Sequence, residues 1–259
     1  DQVGAYVINY YSYLQNSRQQ SLYHDKNWRS GMTLNDNNTD NLFSQTGDLD
    51  YFAGEKQVPS GKNFQTYTSR ARVWNWLLEQ ILPKEETGSI QGDKSILSHY
   101  IGEAYFFRAL AYYQALVRYG DFPIIDEVLP DDQAILKELS QRAPRNEVAR
   151  FILKDLDTAI SRLKDQGFQN NQRINKQTAQ LLKSRVALFE ATFEKYHKGT
   201  GRVPGDDTWP GKDMEYNQGK TFDIAGEINF FLTEAMSAAK AVADHCTLTG
   251  NSHQMKPVL

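Results

Sequence analysis

One cysteine, Cys246, is all that a chain of 259 residues carries. That excludes an internal disulfide and any zinc site built on cysteines. Long apolar runs are missing as well, since no stretch reaches the ~18 residues of a membrane-crossing helix. Positive charge is not in excess: the net charge of -3 lacks the basic face that a nucleic-acid partner calls for. No segment alternates polar and apolar residues over real length, so strands are not expected to build the fold. Nucleophile elbow, phosphate loop and HExxH are all absent, and with them the commonest catalytic signatures. The chain has no initiator Met and no basic-then-apolar leader, so a processed or engineered piece is expected, with any targeting signal removed.

What is present is helical. Apolar residues make 40% of the chain and charged residues 24%, enough for a sizeable core. The chain is organised around residues 101–125, IGEAYFFRALAYYQALVRYGDFPII. Ile101, Ala104, Tyr105, Tyr112, Ala115 and Leu116 share one helical face, and Phe106, Leu110, Tyr113 and Val117 share another. A helix apolar on most of its circumference is buried on most of it. Arg108 lies inside this run, so it is expected to be buried and paired with a carboxylate or carbonyls. Gly120 ends the helix, and Pro123 forces an extended exit.

Five further helices are expected: 2–16, 65–82 with Pro83 after its end, 146–165, 176–196 capped by Asn175, and 224–246. On 65–82 the inward face is read as Val73, Trp76, Leu77 and Ile81, and Trp74 is read as core too. On 176–196, Leu182, Val186, Phe189, Phe193 and Tyr196 make one face, widened by Ala179, Leu181, Leu188 and Ala191. Residues 130–142 read as a loop with a short helical piece, and 17–66 and 198–222 as long polar loops. The fold class is all-α, a tetratricopeptide-like scaffold with long irregular loops. No 34-residue repeat aligns, so this is a shape and not a motif.

Candidate chemistry is sparse. His99 and Glu103 are four apart, but two ligands do not make a metal site, and a surface or capping role is expected. Asp206, Asp207, Asp213 and Glu215 share one loop and read as solvated rather than catalytic. Cys246 reads as core. Aromatic residues in polar surroundings are the better signal. Trp28, Tyr51 and Trp209, with Tyr67 at the start of a helix, are the candidate ligand-binding residues. Aromatic faces among amides and carboxylates suit sugar rings, which stack their C–H faces and hydrogen-bond at the rim. The competing reading is that each ring plugs its loop onto the scaffold.

Four stretches, taken in order, resemble one family. GEAYFFRALAYYQALVRYGDFPII, with its Glu-Ala, its aromatic Arg-Ala run and its Tyr-Gly-Asp-x-Pro, is similar to the signature of the SusD/RagB outer-membrane nutrient-binding lipoproteins. ARVWNWLLEQI matches a family helix through Arg72 and Asn75, with Ala71 where Ile is usual. PRNEVARFILKDLDTAISRL matches through Pro144, Arg145, Ile152, Asp155, Leu156, Ala159 and Ile160. INKQTAQLLKSRVALFEA matches through Ala179, Leu182, Arg185 and Leu188.

The resemblance implies that residues 1–259 are the N-terminal helical region of such a protein, the family's C-terminal half being absent. It implies a non-enzymatic protein that captures oligosaccharides, occasionally peptides; no cofactor and no metal-ligand set is read from the residues. It further implies a lipid anchor upstream of Asp1, exposure on the outer-membrane surface, and a SusC-like TonB-dependent transporter as partner. Two other classes compete: a helical-repeat adaptor that binds protein, and an α-helical glycosidase. The matching motifs are packing motifs, so they do not locate the ligand.

Overall fold

The computed structural model describes residues 2–14, 38–39, 42–43 and 63–246. Two compact units divide the chain, residues 1–65 and 66–259.

In the first unit, α1 (Gln2–Ile8) buries Gly4 and Val7. It stops short of the expected residue 16. Tyr10 leaves the helical region (φ −96°, ψ 1°), and its N–H reaches Val7 O at 3.0 Å, which tightens the chain into a 3₁₀ turn over Tyr11–Tyr13. Two short strands, β1 (Asn38–Thr39) and β2 (Leu42–Phe43), pair antiparallel with Asn38 opposite Phe43.

The second unit carries the scaffold, and helix α2 (Asn63–Glu86) lies in it from Thr66 on. Pro83 lies inside α2 rather than beyond it. A proline this close to the C-terminus gives up only one helical bond, and the real stop comes later. Gly88 takes φ +66°, its N–H meets Glu85 O at 3.0 Å, and Ser89 N–H meets Lys84 O at 2.9 Å. That pair of bonds satisfies the last carbonyls of the helix.

Helix α3 (Lys94–Tyr119) starts at Asp93, whose carboxylate accepts from Ser95 N–H and Ile96 N–H. It ends at Gly120, φ 71°. The chain then runs through β3 (Phe122–Pro123), which pairs antiparallel with β4 (Arg142–Ala143). Between them lies the short α4 (Gln133–Leu139), with no buried residue. Helices α5 (Arg145–Arg162), α6 (Lys176–His197) and α7 (Ile224–Ala243) follow. Asn175 caps α6 as expected, while α5 starts at Pro144 and not at a side-chain cap.

Packing runs from neighbour to neighbour: α3 on α5, α5 on α6, α6 on α7. Helix α2 joins through Trp74, stacked on Phe107 at 5.0 Å. This all-α arrangement is tetratricopeptide-like, as the apolar periods predict. Phe107, Ile101, Leu116, Ile152 and Leu156 are closed off from solvent, each worth roughly 1.5–3 kcal/mol on burial. Gly102 lets α3 approach the end of α5, because a Cβ there would sit 3.1 Å from both Arg162 Cβ and Leu163 Cγ.

Several facing assignments change. On α2 the buried face is Ala71, Trp74, Leu77, Leu78 and Ile81, whereas Trp76 is 46% exposed. On α6, Leu181, Leu188 and Tyr196 point outward. These residues sit at the edge of the apolar arc, where a shift of one position decides burial. Cys246 lies past the end of α7 and is exposed, not core.

Candidate functional site

Arg108 sits in the middle of an apolar helix, so its charge must be matched where it stands. Asp155 of α5 does so with both oxygens, at 2.7 Å from Nε and 2.7 Å from Nη2. Its Nη1 donates to Asn75 Oδ1 at 3.0 Å and to the Asp126 carbonyl at 3.2 Å. Asn75 in turn donates to the carbonyls of Ile125 and Glu127. Tyr112 OH donates to Ile125 O and accepts from Ile125 N–H, both at 2.8 Å. Burial is the largest influence and works against the guanidinium charge, but the bond to Asp155, the Asp155 charge and the neighbouring Tyr105 and Tyr112 together hold Arg108 above its ordinary pKa. Burial also lifts the Asp155 carboxyl, which by itself opposes ionisation. Two arms at 2.7 Å have the geometry of an ion pair, and that is the form we assign. One arginine thus ties α2, α3, α5 and the connector after β3.

A second buried pair joins α5 to α6. Arg145 meets Glu190 with two arms at 2.7 and 2.8 Å, and its guanidinium lies 3.3 Å from the Phe193 ring centre. Asp121 accepts from Arg145 N–H through one oxygen and from Trp209 Nε1–H through the other, at 2.9 Å. One turn beyond Glu190, Glu194 is fully buried, and neither of its oxygens has a hydrogen-bond partner among the described residues. Burial first, then the charges of Glu190 and Glu227, push its carboxyl up to about 8, against the pull of Arg145 and Arg150.

His99 and Glu103 are a correction. Instead of lying at the surface or capping a helix, both are fully buried. Arg173 clamps Glu103 with two arms, and His99 Nδ1 accepts from Lys164 N–H at 3.0 Å. The proton is therefore on Nε2, 3.2 Å from Glu103. Sequence reading missed this cluster because Arg173 is 70 residues from Glu103. Among the described residues no group of three or more His, Cys, Asp or Glu side chains is placed to hold a metal.

Above the Arg108 network lies a hollow of about 420 Å³. Its walls are Leu78, Leu82 and Pro83 of α2, Tyr105 of α3 and Phe151 of α5. Glu79, Asp126, Lys154 and Thr158 stand at its rim. A second hollow of about 390 Å³ adjoins it across Lys154 and Thr158, running to Phe230 and Glu234 of α7.

The aromatic residues singled out by sequence are not assembled by the described residues into one site. Trp28 and Tyr51 lie outside them. Tyr67, in the first turns of α2, is half-buried with its ring edge-on to Tyr119 at 5.6 Å. Trp209 is 3% exposed. Its ring stands edge-on to Phe222 at 5.3 Å, and Gly211 lies so close beneath that a Cβ would collide with it. With its faces covered and its N–H held by Asp121, Trp209 is a plug that fixes the 198–222 loop. It has no free face for a sugar. Asp206 of the same loop accepts from Gly199 N–H and Gly201 N–H, so it shapes a turn.

A family model described as SusD-like, starch-binding associating with outer membrane, matches residues 4–188. Among curated proteins, the chain is 32% identical over 108 residues to SusD-like protein P2 of Formosa agariphila, covering 42% of this chain and 21% of that protein. Among solved structures, it is similar to a SusD-like protein from Bacteroides fragilis at 25% identity and a TM-score of 0.50, over 76% of this chain and 36% of that one. It also resembles a SusD-like carbohydrate binding protein from Bacteroides fragilis at 16% identity and a TM-score of 0.53, over 76% and 38%. The chain therefore spans about a fifth to two fifths of the length of these relatives.

Proposed function

The chain belongs to the SusD-like family, and on that premise we propose that it binds oligosaccharide nutrients at the cell surface and passes them to a SusC-like TonB-dependent transporter. The observation that carries this reading is the match of residues 4–188 to a family described as starch-binding and associated with the outer membrane. Binding is non-catalytic, by aromatic stacking with a polar rim. No helix among the described residues is long and apolar enough to cross a membrane, and in this proposal a lipid anchor upstream of Asp1 supplies attachment.

Trp28, Tyr51 and Tyr67 are the stacking residues in this proposal. A stacking hot spot contributes on the order of 1–3 kcal/mol. Calorimetry with a panel of neutral glycans tests the reading: Ala at any one of the three lowers affinity about tenfold while the helical signal stays. Glycans that bind none of the variants more weakly than the parent would move the site elsewhere. Appearance of shorter sugars by chromatography would replace binding with hydrolysis.

A further inference from the structure

The hollow over Arg108 and the hollow beside Phe230 meet at Lys154 and Thr158 on the outer side of α5. We propose that together they form one groove that holds a neutral sugar chain, one ring over each hollow, at a site apart from the loop aromatics. The choice of sugar rests on the glycan-binding reading above; the groove itself does not.

Size comes first. Each hollow, at about 420 and about 390 Å³, falls at the lower end of the range of small-molecule sites, ~300–1,000 Å³. Rigidity follows from what lies beneath. In the first hollow Arg108, Asp155 and Asn75 spend their polar atoms on one another and on the connector. In the second, Arg150 is fixed by two 2.9 Å bonds to Glu227 and lies 3.8 Å from the Phe230 ring centre. The floors are built and saturated, so they shape the groove and leave recognition to the rim.

The rim holds what the fold does not use. Tyr105 OH, the Asp126 carboxylate and the Lys154 ammonium make no hydrogen bond or ion pair among the described residues, yet all three line the first hollow. Burial pushes the Tyr105 phenol up, so it stays a neutral donor and acceptor. Tyr105 and Phe151 line the hollow beside these groups, their ring centres 5.2 and 5.3 Å from the Arg108 guanidinium. A ring to stack on, with one hydroxyl, one carboxylate and one ammonium around it, is the chemistry of a sugar subsite.

Charge and backbone narrow the ligand. Glu79, Asp126, Asp157 and Glu234 border the two hollows; Lys183 pairs with Asp157 at 2.6 Å and Glu234 at 2.5 Å, so among the described residues Glu79 and Asp126 stand without a cation and Lys154 alone is a free one. An acidic sugar would face more carboxylates than it could pair with, so a neutral one is selected. An extended peptide would need free backbone groups for a ladder. The connector offers few: the carbonyls of residues 125, 126, 127 and 129 and the N–H groups of 125 and 128 are already bonded.

Methyl-labelled protein titrated with maltoheptaose, laminarihexaose or a xyloglucan heptasaccharide tests the groove. At least one of the three sugars should shift the methyl signals of Leu78, Leu82 and Leu153, and the shifts should persist in a Trp28→Ala/Tyr51→Ala variant. The Asp126→Ala/Lys154→Ala variant should bind at the groove about tenfold more weakly, with an unchanged melting curve. Unmoved leucines with all three sugars overturn the groove. If those sugars still bind and the loop variant abolishes binding, the glycan reading stands without the groove; if no sugar binds at all, both fall. A shift caused by a hexapeptide alone, or equal affinity for an oligogalacturonate, also overturns it.

Discussion

Two of the buried arginine–carboxylate pairs, Arg108–Asp155 and Arg145–Glu190, look alike at first contact and differ in their surroundings. Around Arg108 the donors and acceptors close on themselves: Asp155, Asn75, Tyr112 and the connector carbonyls each find a partner. Around Arg145 there is one carboxyl too many, since Glu190 takes both arms and Glu194 is buried one turn on with none. A closed network only stabilises. A surplus acid makes the same kind of joint sensitive to pH, because burial without a partner favours its neutral form.

Breaking the closed network gives the largest effect. Asp155→Ala leaves a guanidinium that cannot shed its charge, and we expect a loss of about 3–5 kcal/mol in denaturant unfolding. Glu190→Ala should cost about half as much. Glu194 lies one turn away and already feels the pull of the Arg145 charge, so it can ionise once Glu190 is gone. Equal losses for the two variants would erase the distinction between them.

Glu194→Gln sharpens it. The carboxyl is raised from 4.5 to about 8 in the fold, so between those values the folded protein holds a proton that the unfolded chain has lost. Its stability contribution is therefore greatest below about pH 4.5 and declines as pH rises toward about 8, by at most about 1.4 kcal/mol per pH unit. Melting curves from pH 5 to 8 should fall for the parent and stay flatter for the variant. Parallel curves would mean that Glu194 is ionised throughout. The smallest effect belongs to Trp209→Phe, which keeps a six-membered aromatic ring and loses the pyrrole N–H that bonds Asp121. About 1 kcal/mol is expected, with glycan affinity unchanged, and weakened glycan binding would show that the ring is more than a plug.

Sequence made the helices legible because their apolar periods are local. It also marked Arg108 as buried, since a charge amid Ala, Phe and Tyr has nowhere else to be. Partners were harder to read. Trp209 and Asp121 stand 88 residues apart, and a tryptophan in a polar loop looks the same whether it faces inward or outward. Trp74 and Trp76 differ by two positions and end on opposite sides of α2, which only packing decides. The groove draws its walls from α2, α3, α5, α7 and the connector, so no contiguous stretch of sequence could have announced it.

Gly102 gives the scaffold a mechanical property. Six residues before Arg108 on the same helix, it lets α3 sit against Arg162 and Leu163 at the far end of α5. A methyl group there would act as a wedge, about 9 Å along the axis from the Arg108–Asp155 pair. With that pair as the fulcrum, a displacement of a few tenths of an ångström at the wedge becomes a rotation of α5 against α3. The span between Tyr105 and Phe151 would change with it. The missing side chain at position 102 is in this sense a calibration of the lever, set where a single carbon atom can retune the width of a groove it does not line.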